Sequence, residues 1–163
     1  MIEKVRSVDA EEILSVINTT NREAYKSIIP KEKFKEPILT LEELLKILDK
    51  MVFYVHKSDG KIVGVAALDV LDDKVGKLRW VYVLPEHQRK GIGTALITLL
   101  EQKAVEKDLR KMRLRTIGKS HQAVNFYKKL GYKLTGKIKE IWGYDFLMEK
   151  DLRLQPLDFS ATT

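Results

Sequence analysis

Apolar side chains recur three and four positions apart in four segments of the chain, and this spacing predicts four helices. Asp9 followed by Glu12, and Thr40 followed by Glu43, match the capping-box pattern that begins a helix. We expect Ser120 to cap the fourth helix in a similar way. The predicted apolar positions are Ile13, Leu14 and Ile17, then Leu41, Leu44, Leu45 and Leu48, then Ile92, Ala95, Leu96, Leu99 and Leu100, and finally Ala123, Phe126, Tyr127 and Leu130.

Seven further segments have the alternating or β-branched composition of strands. They are residues 2–8, 52–57, 61–70, 77–85, 111–117, 132–138 and 141–150. Ser58, Asp59 and Gly60 separate the second segment from the third and predict a hairpin turn. The order of the elements, β-α-α-β-β-β-α-β-α-β-β, favours an α/β fold in which a mixed sheet carries helices on its faces.

The size and composition of the chain are those of one globular domain. With 163 residues, of which 44% are hydrophobic, the chain can bury one core. We expect the domain to occupy residues 1–150 and residues 151–163 to form a C-terminal tail. No apolar run approaches the roughly 20 residues of a membrane helix, and the N-terminus becomes acidic where a signal peptide would be apolar. The expectation is therefore a cytoplasmic protein that does not enter the membrane.

Two residue types limit the chemistry that the chain can carry out. It has no cysteine, which excludes disulfides, zinc–thiolate sites and cysteine nucleophiles. Its three histidines, His56, His87 and His121, lack the spacing of metal ligands, so no metal site is predicted.

The chain has an excess of positive charge. Lysine and arginine number 30 against 23 aspartate and glutamate residues, which gives a net charge of +7. This excess favours an anionic partner, such as a nucleic acid, a membrane surface or a polyphosphate ligand. The alternative is that most of these lysines only solvate helix faces.

The segment PEHQRKGIGTALITLLE, residues 85–101, gives that charge a specific place. A strand is predicted before it, and a helix begins within it, directly after two glycines. Free N–H groups and the positive end of the helix dipole suit a phosphate there, and glycine lets a ligand approach the backbone closely. A G-x-G sequence is common, however, and an ordinary basic loop remains the alternative interpretation.

Two motifs in this chain resemble those of the GNAT superfamily, the GCN5-related N-acetyltransferases. The run QRKGIG, residues 88–93, resembles the family's Q/R-x-x-G-x-G/A signature after its fourth strand. The run AVNFYKKLGY, residues 123–132, is similar to the family's A-x-x-x-Y-x-x-x-G-F/Y segment. The resemblance covers residues 2–150 and implies the GNAT fold, with a mostly antiparallel sheet of about seven strands between about four helices.

The resemblance also implies a ligand and its contacts. Acetyl-CoA would bind with its pyrophosphate on the amides of residues 88–94 and its pantetheine arm beside residues 81–83, and an amine would accept the acetyl group. The implied binding residues are Val81, Tyr82, Val83, Gln88, Arg89, Lys90, Gly91, Ile92, Gly93, Thr94, Ser120, Asn125 and Tyr127.

Two residues take catalytic roles by this resemblance. The Val83 N–H would stabilise the oxyanion, and Tyr127 would protonate the departing thiolate of CoA. Tyr127 also fits the apolar stripe of its helix, so a purely structural role stays open. Asn125 could reach the pantetheine amides or simply face solvent.

The chain departs from the family's pattern at several positions. Ser120 stands where many members have asparagine, and Arg79, Trp80 and Arg115 stand where members place a carboxylate base. The general base is thus not identified from the sequence. The proton could leave through ordered water or through another carboxylate, for which the candidates are Glu23, Asp69 and Asp145.

Arg79 also bears on the choice of acceptor. If it lines the acceptor site it favours an acidic acceptor, whereas it could equally pair with a nearby acid and extend to solvent. Strand alternation predicts Arg79 and Val81 on one face of the sheet, with Trp80 and Tyr82 on the other. The segment 21–37, with Tyr25 and Phe34, falls where the family shapes its acceptor site.

Two other classes of function remain as alternatives. One is an acetyl-CoA-binding sensor without catalytic activity, which the missing carboxylate would suit. The other, less favoured, is a nucleic-acid-binding protein that uses Arg89, Lys90 and the basic run KDLRKMRLR, residues 107–115. A homodimer formed through exposed strand edges is compatible with either enzyme or sensor.

Overall fold

Seven strands form one sheet in the computed structural model of the chain, which describes residues 1–72 and 74–154. The strands are β1 (Ile2–Lys4), β2 (Val52–Ser58), β3 (Lys61–Asp72), β4 (Val75–Val83), β5 (Lys111–Ile117), β6 (Lys133–Glu140) and β7 (Gly143–Asp151). Their order across the sheet is β1-β2-β3-β4-β5-β7-β6. The pair β4–β5 is parallel and the other neighbours are antiparallel, so the predicted mixed, mostly antiparallel sheet is confirmed.

Four helices cover the two faces of this sheet within the described residues. They are α1 (Ala10–Tyr25), α2 (Leu41–Leu48), α3 (Ile92–Glu106) and α4 (His121–Lys129). On one face, here called the α1 face, Ile13 and Ile17 of α1 pack with Phe53 and Val65 of the sheet. On the opposite face, the α3 face, Leu96 and Leu100 pack with strand residues that include Leu78, Met112 and Met148. No helix in the described ranges has the length and apolar character needed to cross a membrane.

The helix starts differ in how well the sequence predicted them. Thr40 caps α2 as expected, since its Oγ1 accepts from Glu43 N at 3.2 Å and Glu43 Oε1 accepts from Thr40 N at 3.0 Å. The expected Asp9–Glu12 box is wrong, because a 3₁₀ turn at Ser7–Asp9 already places Asp9 in the helical conformation. Asp9 instead accepts from Arg6 N, and Glu12 accepts from Ile62 N at 2.7 Å.

Two segment boundaries also differ from the expectation. The first strand ends at Lys4, because the 3₁₀ turn occupies part of the segment predicted as 2–8. At the other end, β7 includes Asp151 and Leu152 is buried, so the ordered fold continues past residue 150. Residues 155–163 of the expected tail lie outside the described residues.

Candidate active site between strands β4 and β5

The centre of the sheet is open where β4 and β5 diverge. Among the described residues these two strands pair only through 75–77 and 111–113. Beyond this point lies a cavity of about 250 Å³. Its walls are residues 77–82 of β4 and 114–116 of β5, together with Tyr25 at the end of α1 and Tyr127 on α4. Where the two parallel strands diverge, Tyr25 of α1 and Tyr127 of α4 therefore both reach the gap between them.

A β-bulge shapes the β4 wall of this cavity. Val65 pairs with Tyr82 and Ala67 with Arg79, so Trp80 and Val81 together oppose the single residue Ala66. Trp80 has a φ of +54°, in the left-handed region, which costs a non-glycine residue about 1–2 kcal/mol. Its indole Nε1 is buried and has no hydrogen-bond partner among the described residues. Backbone strain and an unpaired donor at one residue are typical of a functional site.

The bulge also corrects the predicted facing of β4. Arg79 lies opposite Ala67, which belongs to the core of the α1 face, and Trp80 packs against that same core. Val81 packs against the α3-face core. Arg79 and Val81 are thus on different faces, because the extra residue of the bulge shifts the alternation by one position. The Arg79 guanidinium carbon lies 5.9 Å from the centre of the Trp80 ring.

The backbone of Val83 faces the gap. Leu84 N donates to Val63 O at 2.9 Å, so Leu84 and Val63 form a hydrogen-bonded antiparallel pair. In such a ladder the next pair, Val83 and Gly64, directs its N–H and C=O groups outward. The Val83 N–H consequently points away from β3, toward the space between β4 and β5. Its carbonyl oxygen accepts from Gln88 Nε2 at 2.8 Å, which ties the loop before α3 to the end of β4.

The N-terminus of α3 offers a group of free donors beside this strand end. The first intrahelical bond runs from Ala95 N to Gly91 O, and no side chain caps the helix. The N–H groups of Ile92, Gly93 and Thr94 therefore have no acceptor within the helix. Arg89 and Lys90 are exposed directly before them. Helix dipole, free amides and two cations together make a site for an anion.

Glycines allow the backbone to approach closely at this point. Gly91 has a φ of +81°, and a β-carbon there would contact nothing within 4 Å, so the space above it is open. At Gly93 a β-carbon would lie 3.1 Å from Phe126 Cζ. Gly93 therefore lets α4 pack against the first turn of α3. Glycine at these two positions keeps the amides accessible and holds α4 close to them.

Tyr127 projects from α4 into the cavity. Its ring centre lies 5.2 Å from that of Phe126 and 6.1 Å from that of Tyr132. Its hydroxyl forms no hydrogen bond with another described residue, whereas Tyr82 donates weakly to Asn21 Oδ1 at 3.5 Å. Burial, followed by the nearby Tyr25 and Tyr82, raises the pKa of Tyr127 above its ordinary value. Tyr127 therefore keeps its proton at neutral pH.

The remaining predicted site residues lie near α4 but are less enclosed. Ser120 precedes α4, yet its side chain makes no capping bond, so the predicted cap is wrong in its hydrogen bond though right in its position. Asn125 is exposed on α4, as are Lys128 and Lys129. The structure thus groups Val81, Tyr82 and Tyr127 at the cavity, residues 88–94 at the helix N-terminus, and Val83 between the two.

The charged side chains in the walls of the cavity are all basic among the described residues. Lys77, Arg79 and Arg115 line it, and no carboxylate does so among the described residues. Arg79 lies 3.4 Å from Asp69, so it both lines the cavity and pairs with an acid. Lys77 was not singled out from the sequence. Its position two residues before Arg79 was the available signal, since alternation places the two side chains on one face.

The three carboxylates considered as bases are all placed outside the cavity wall. Glu23 is exposed on α1. Asp69 pairs with Arg79, and the buried Asp145 accepts from Arg115 Nε at 2.7 Å and from Trp142 Nε1 at 2.9 Å. No side chain with the chemistry of a general base is therefore assigned.

The basic run 107–115 does not form a continuous charged stripe. Met112 and Leu114 are buried in β5. Arg113 and Lys111 pair with Glu149, and Arg115 pairs with Asp145 and Glu140. This arrangement neutralises the basic side chains of β5, so the part of the run that lies in this strand does not favour the nucleic-acid alternative.

Comparisons with known proteins agree with this arrangement. A family model described as "Acetyltransferase (GNAT) family" matches residues 13–132. The chain is 27% identical over 105 residues to an acetyltransferase of Sodalis glossinidius, covering 64% of this chain and 72% of that protein. It is 31% identical over 90 residues to an uncharacterized N-acetyltransferase of Methanocaldococcus jannaschii, covering 52% of this chain and 40% of that protein.

The fold is similar to that of solved structures as well. The PaiA N-acetyltransferase of Thermoplasma acidophilum, crystallised in complex with coenzyme A, superposes with a TM-score of 0.82 at 24% identity. The match covers 93% of this chain and 98% of that one. At this level of identity the likeness establishes the fold.

Proposed function

The chain belongs to the acetyltransferase (GNAT) family, and we propose that it transfers the acetyl group of acetyl-CoA directly to a primary amine of a small molecule or peptide. One observation carries this proposal. The gap between β4 and β5 joins an uncapped helix N-terminus at one end to a protonated tyrosine, Tyr127, beside the cavity.

The residues around the gap fit acetyl-CoA. Its pyrophosphate matches the free amides at the start of α3, with Arg89 and Lys90 adding positive charge. The open space above Gly91 admits a phosphate close to the backbone. The outward-facing edge of β4 at residues 81–83 offers main-chain donors and acceptors to the amides of the pantetheine arm. The PaiA N-acetyltransferase was solved with coenzyme A, and YncA, a putative acetyltransferase of Salmonella typhimurium with a similar fold, was solved with acetyl-CoA, which supports the same ligand here.

Two groups of this chain then act on the reacting atoms. The amine nitrogen bonds to the carbonyl carbon of the thioester, and the Val83 N–H donates to the carbonyl oxygen as negative charge develops on it. The carbon–sulfur bond breaks, and Tyr127 gives its proton to the departing thiolate. The proton released by the amine passes to water, because no carboxylate lines the cavity among the described residues. Tyr127 regains a proton from solvent after CoA leaves.

Thiol release from acetyl-CoA tests this proposal. Pools of amino acids, polyamines, aminoglycosides and peptides are supplied as acceptors, and the acetylated product is identified by mass spectrometry. Replacing Tyr127→Phe should lower kcat by about 100-fold, the lower end of general-acid effects, while acetyl-CoA affinity is kept. Tyr144→Phe, at an exposed tyrosine of β7, is the matched control and should react normally.

Each outcome has a distinct meaning. Equal turnover by wild type and Tyr127→Phe would remove Tyr127 as the acid while leaving the enzyme. Binding of acetyl-CoA in calorimetry without turnover of any pool would replace the enzyme with the sensor.

A further inference from the structure

We propose that the acceptor is an amino acid or short peptide whose free carboxylate is bound by Lys77, Arg79 and Arg115 on the α1 face of the cavity. This inference rests on the proposed function, because it describes the second substrate of the same site. It follows from where these three side chains lie and from how their charges are balanced.

Register places the three cations on one face. Leu78 and Leu114 belong to the core of the α3 face, so their strand neighbours Lys77, Arg79 and Arg115 point to the α1 face. Lys77 is the Cα partner of Asp69 on β3 and of Arg113 on β5, which puts it at the point where the two parallel strands begin to diverge. All three cations line the cavity, on the side to which α1 contributes Tyr25.

The three cations on this face differ in whether a carboxylate of the protein pairs with them. Arg79 is held by Asp69, and Arg115 by Asp145 and Glu140 at 2.7 and 2.9 Å. Lys77 makes no ion pair with another described residue, although it is half-buried. Burial lowers the pKa of Lys77, the neighbouring Arg79 and Arg115 lower it further, and Asp69, its partner on β3, opposes this shift without reversing it. A carboxylate entering the cavity would therefore relieve the unfavourable burial of this cation.

The same field acts on the amine of the acceptor. The ammonium of Lys77, which has no ion pair among the described residues, disfavours a second ammonium ion close to it and so favours the neutral amine that attacks the thioester. This effect supplies a nucleophile without a carboxylate base, which is absent from the described cavity wall. It also disfavours polyamines, since each additional ammonium group would be repelled.

The dimensions favour a short acceptor. The cavity has a volume of about 250 Å³, which admits an amino acid or a short peptide and not a long chain.

The experiment compares matched acids and amides. Turnover is measured for alanyl-alanine, its C-terminal amide and spermidine. In parallel, calorimetry measures binding of N-acetyl-alanyl-alanine and its C-terminal amide to the protein loaded with CoA. The acid should exceed the amide at least tenfold in kcat/KM and in affinity, and spermidine should be the poorest acceptor.

Variants attribute this preference to the cations. Lys77→Met, which keeps the length of the side chain, should reduce the acid-to-amide ratio toward one, and Lys77→Arg should preserve it. Arg79→Gln should reduce the ratio as well. Lys133→Met, at an exposed lysine of β6, is the control and should leave the ratio unchanged.

The outcomes separate this inference from the proposed function. Turnover in which the amide or spermidine equals or exceeds the acid overturns the inference and keeps the acetyltransferase. If no acceptor turns over, the binding arm still decides: equal affinity for the acetylated acid and amide rejects the carboxylate site, and a preference lost in Lys77→Met supports it.

Discussion

Two groups of polar side chains lie inside this protein, and they differ in whether the protein itself supplies their hydrogen-bond and ion-pair partners. Between α3 and the sheet, the buried carboxylate of Glu101 accepts from Tyr132 Oη at 2.9 Å and lies 3.0 Å from Lys150 Nζ. In the cavity between β4 and β5, Trp80 Nε1 has no partner and Lys77 has no ion pair among the described residues. The protein supplies a hydrogen-bond donor and a cation to the carboxylate of the first group. It supplies no such partner to Trp80 Nε1 or Lys77 among the described residues.

This difference separates groups that stabilise the fold from groups that bind a ligand. A buried charge is tolerated where the protein supplies its counterion and hydrogen bonds. A region that leaves donors unpaired raises the free energy of the empty protein, and a ligand can recover that cost. We therefore expect changes near Glu101 to alter stability and changes in the cavity to alter binding and turnover.

The largest effect is expected from breaking the completed group. Lys150→Met removes the ammonium that lies 3.0 Å from the buried Glu101 carboxylate, which should lower the free energy of unfolding by about 3–5 kcal/mol. Denaturant unfolding measures this change. Lys46→Met, which removes an exposed ion pair with Glu42 on α2, should cost less than about 1 kcal/mol. Similar losses in the two variants would contradict the distinction between the regions.

An intermediate loss in the free energy of unfolding is expected in alkaline solution. Burial raises the pKa of Tyr132 and of Tyr127 above the ordinary tyrosine value of about 10, and the Glu101 charge raises that of Tyr132 further. The folded protein then holds protons that the unfolded chain loses, so their contribution is fully present below pH 10 and is lost as the pH rises. Stability should fall by on the order of 1 kcal/mol per tyrosine between pH 10 and 11.

Tyrosine variants identify the groups behind that pH dependence. Denaturant midpoints are measured at several pH values for wild type, Tyr132→Phe and Tyr127→Phe. Each variant should show a shallower decline than wild type. A decline of unchanged slope in both would show that other groups cause it.

The smallest difference is expected between two glycines in the same conformation, whose replacement should have the same cost in stability and differ only in ligand binding. Gly60, in the β2–β3 turn, and Gly91 have φ values of +78° and +81°, and a β-carbon at either would meet nothing within 4 Å. Alanine should cost about 1–2 kcal/mol of stability at both positions. Gly91→Ala should in addition weaken acetyl-CoA binding about tenfold in calorimetry, because its β-carbon occupies the space beside the free amides. Equal affinity of the two variants for acetyl-CoA would place the pyrophosphate elsewhere.

Local patterns predicted the elements well where the local sequence decides the structure. The Thr40–Glu43 cap, the β2–β3 hairpin and the start of α3 after Gly91 all depend on residues within a few positions of each other. The predicted capping box at Asp9 is wrong because the 3₁₀ turn at Ser7–Asp9 already places Asp9 in the helical conformation. Arg79 was placed on the wrong face because a bulge depends on pairing with β3 and leaves no alternation signal in β4 itself.

The residues that line the cavity were harder to predict from the sequence. The roles expected of Val83, Tyr127 and residues 88–94 came from resemblance to a family, and they stay predictions until the variants are measured. Lys77 and Arg115 are 38 positions apart in the chain. Only the parallel pairing of β4 with β5 brings them to one wall, and no pattern within either strand encodes that pairing.

The short contact between β4 and β5 has a mechanical consequence. Strands β1–β4 and strands β5–β7 form two blocks whose shared backbone ladder spans three residue pairs. The α3-face core bridges the blocks through side chains, with Leu68 and Leu78 on one block and Met112 and Met148 on the other. A ligand that forms main-chain hydrogen bonds along the edge of β4 would extend this ladder as an additional strand does. Substrate binding would then stiffen the joint between the blocks, and slower amide hydrogen exchange at the facing edges of β4 and β5 would report it.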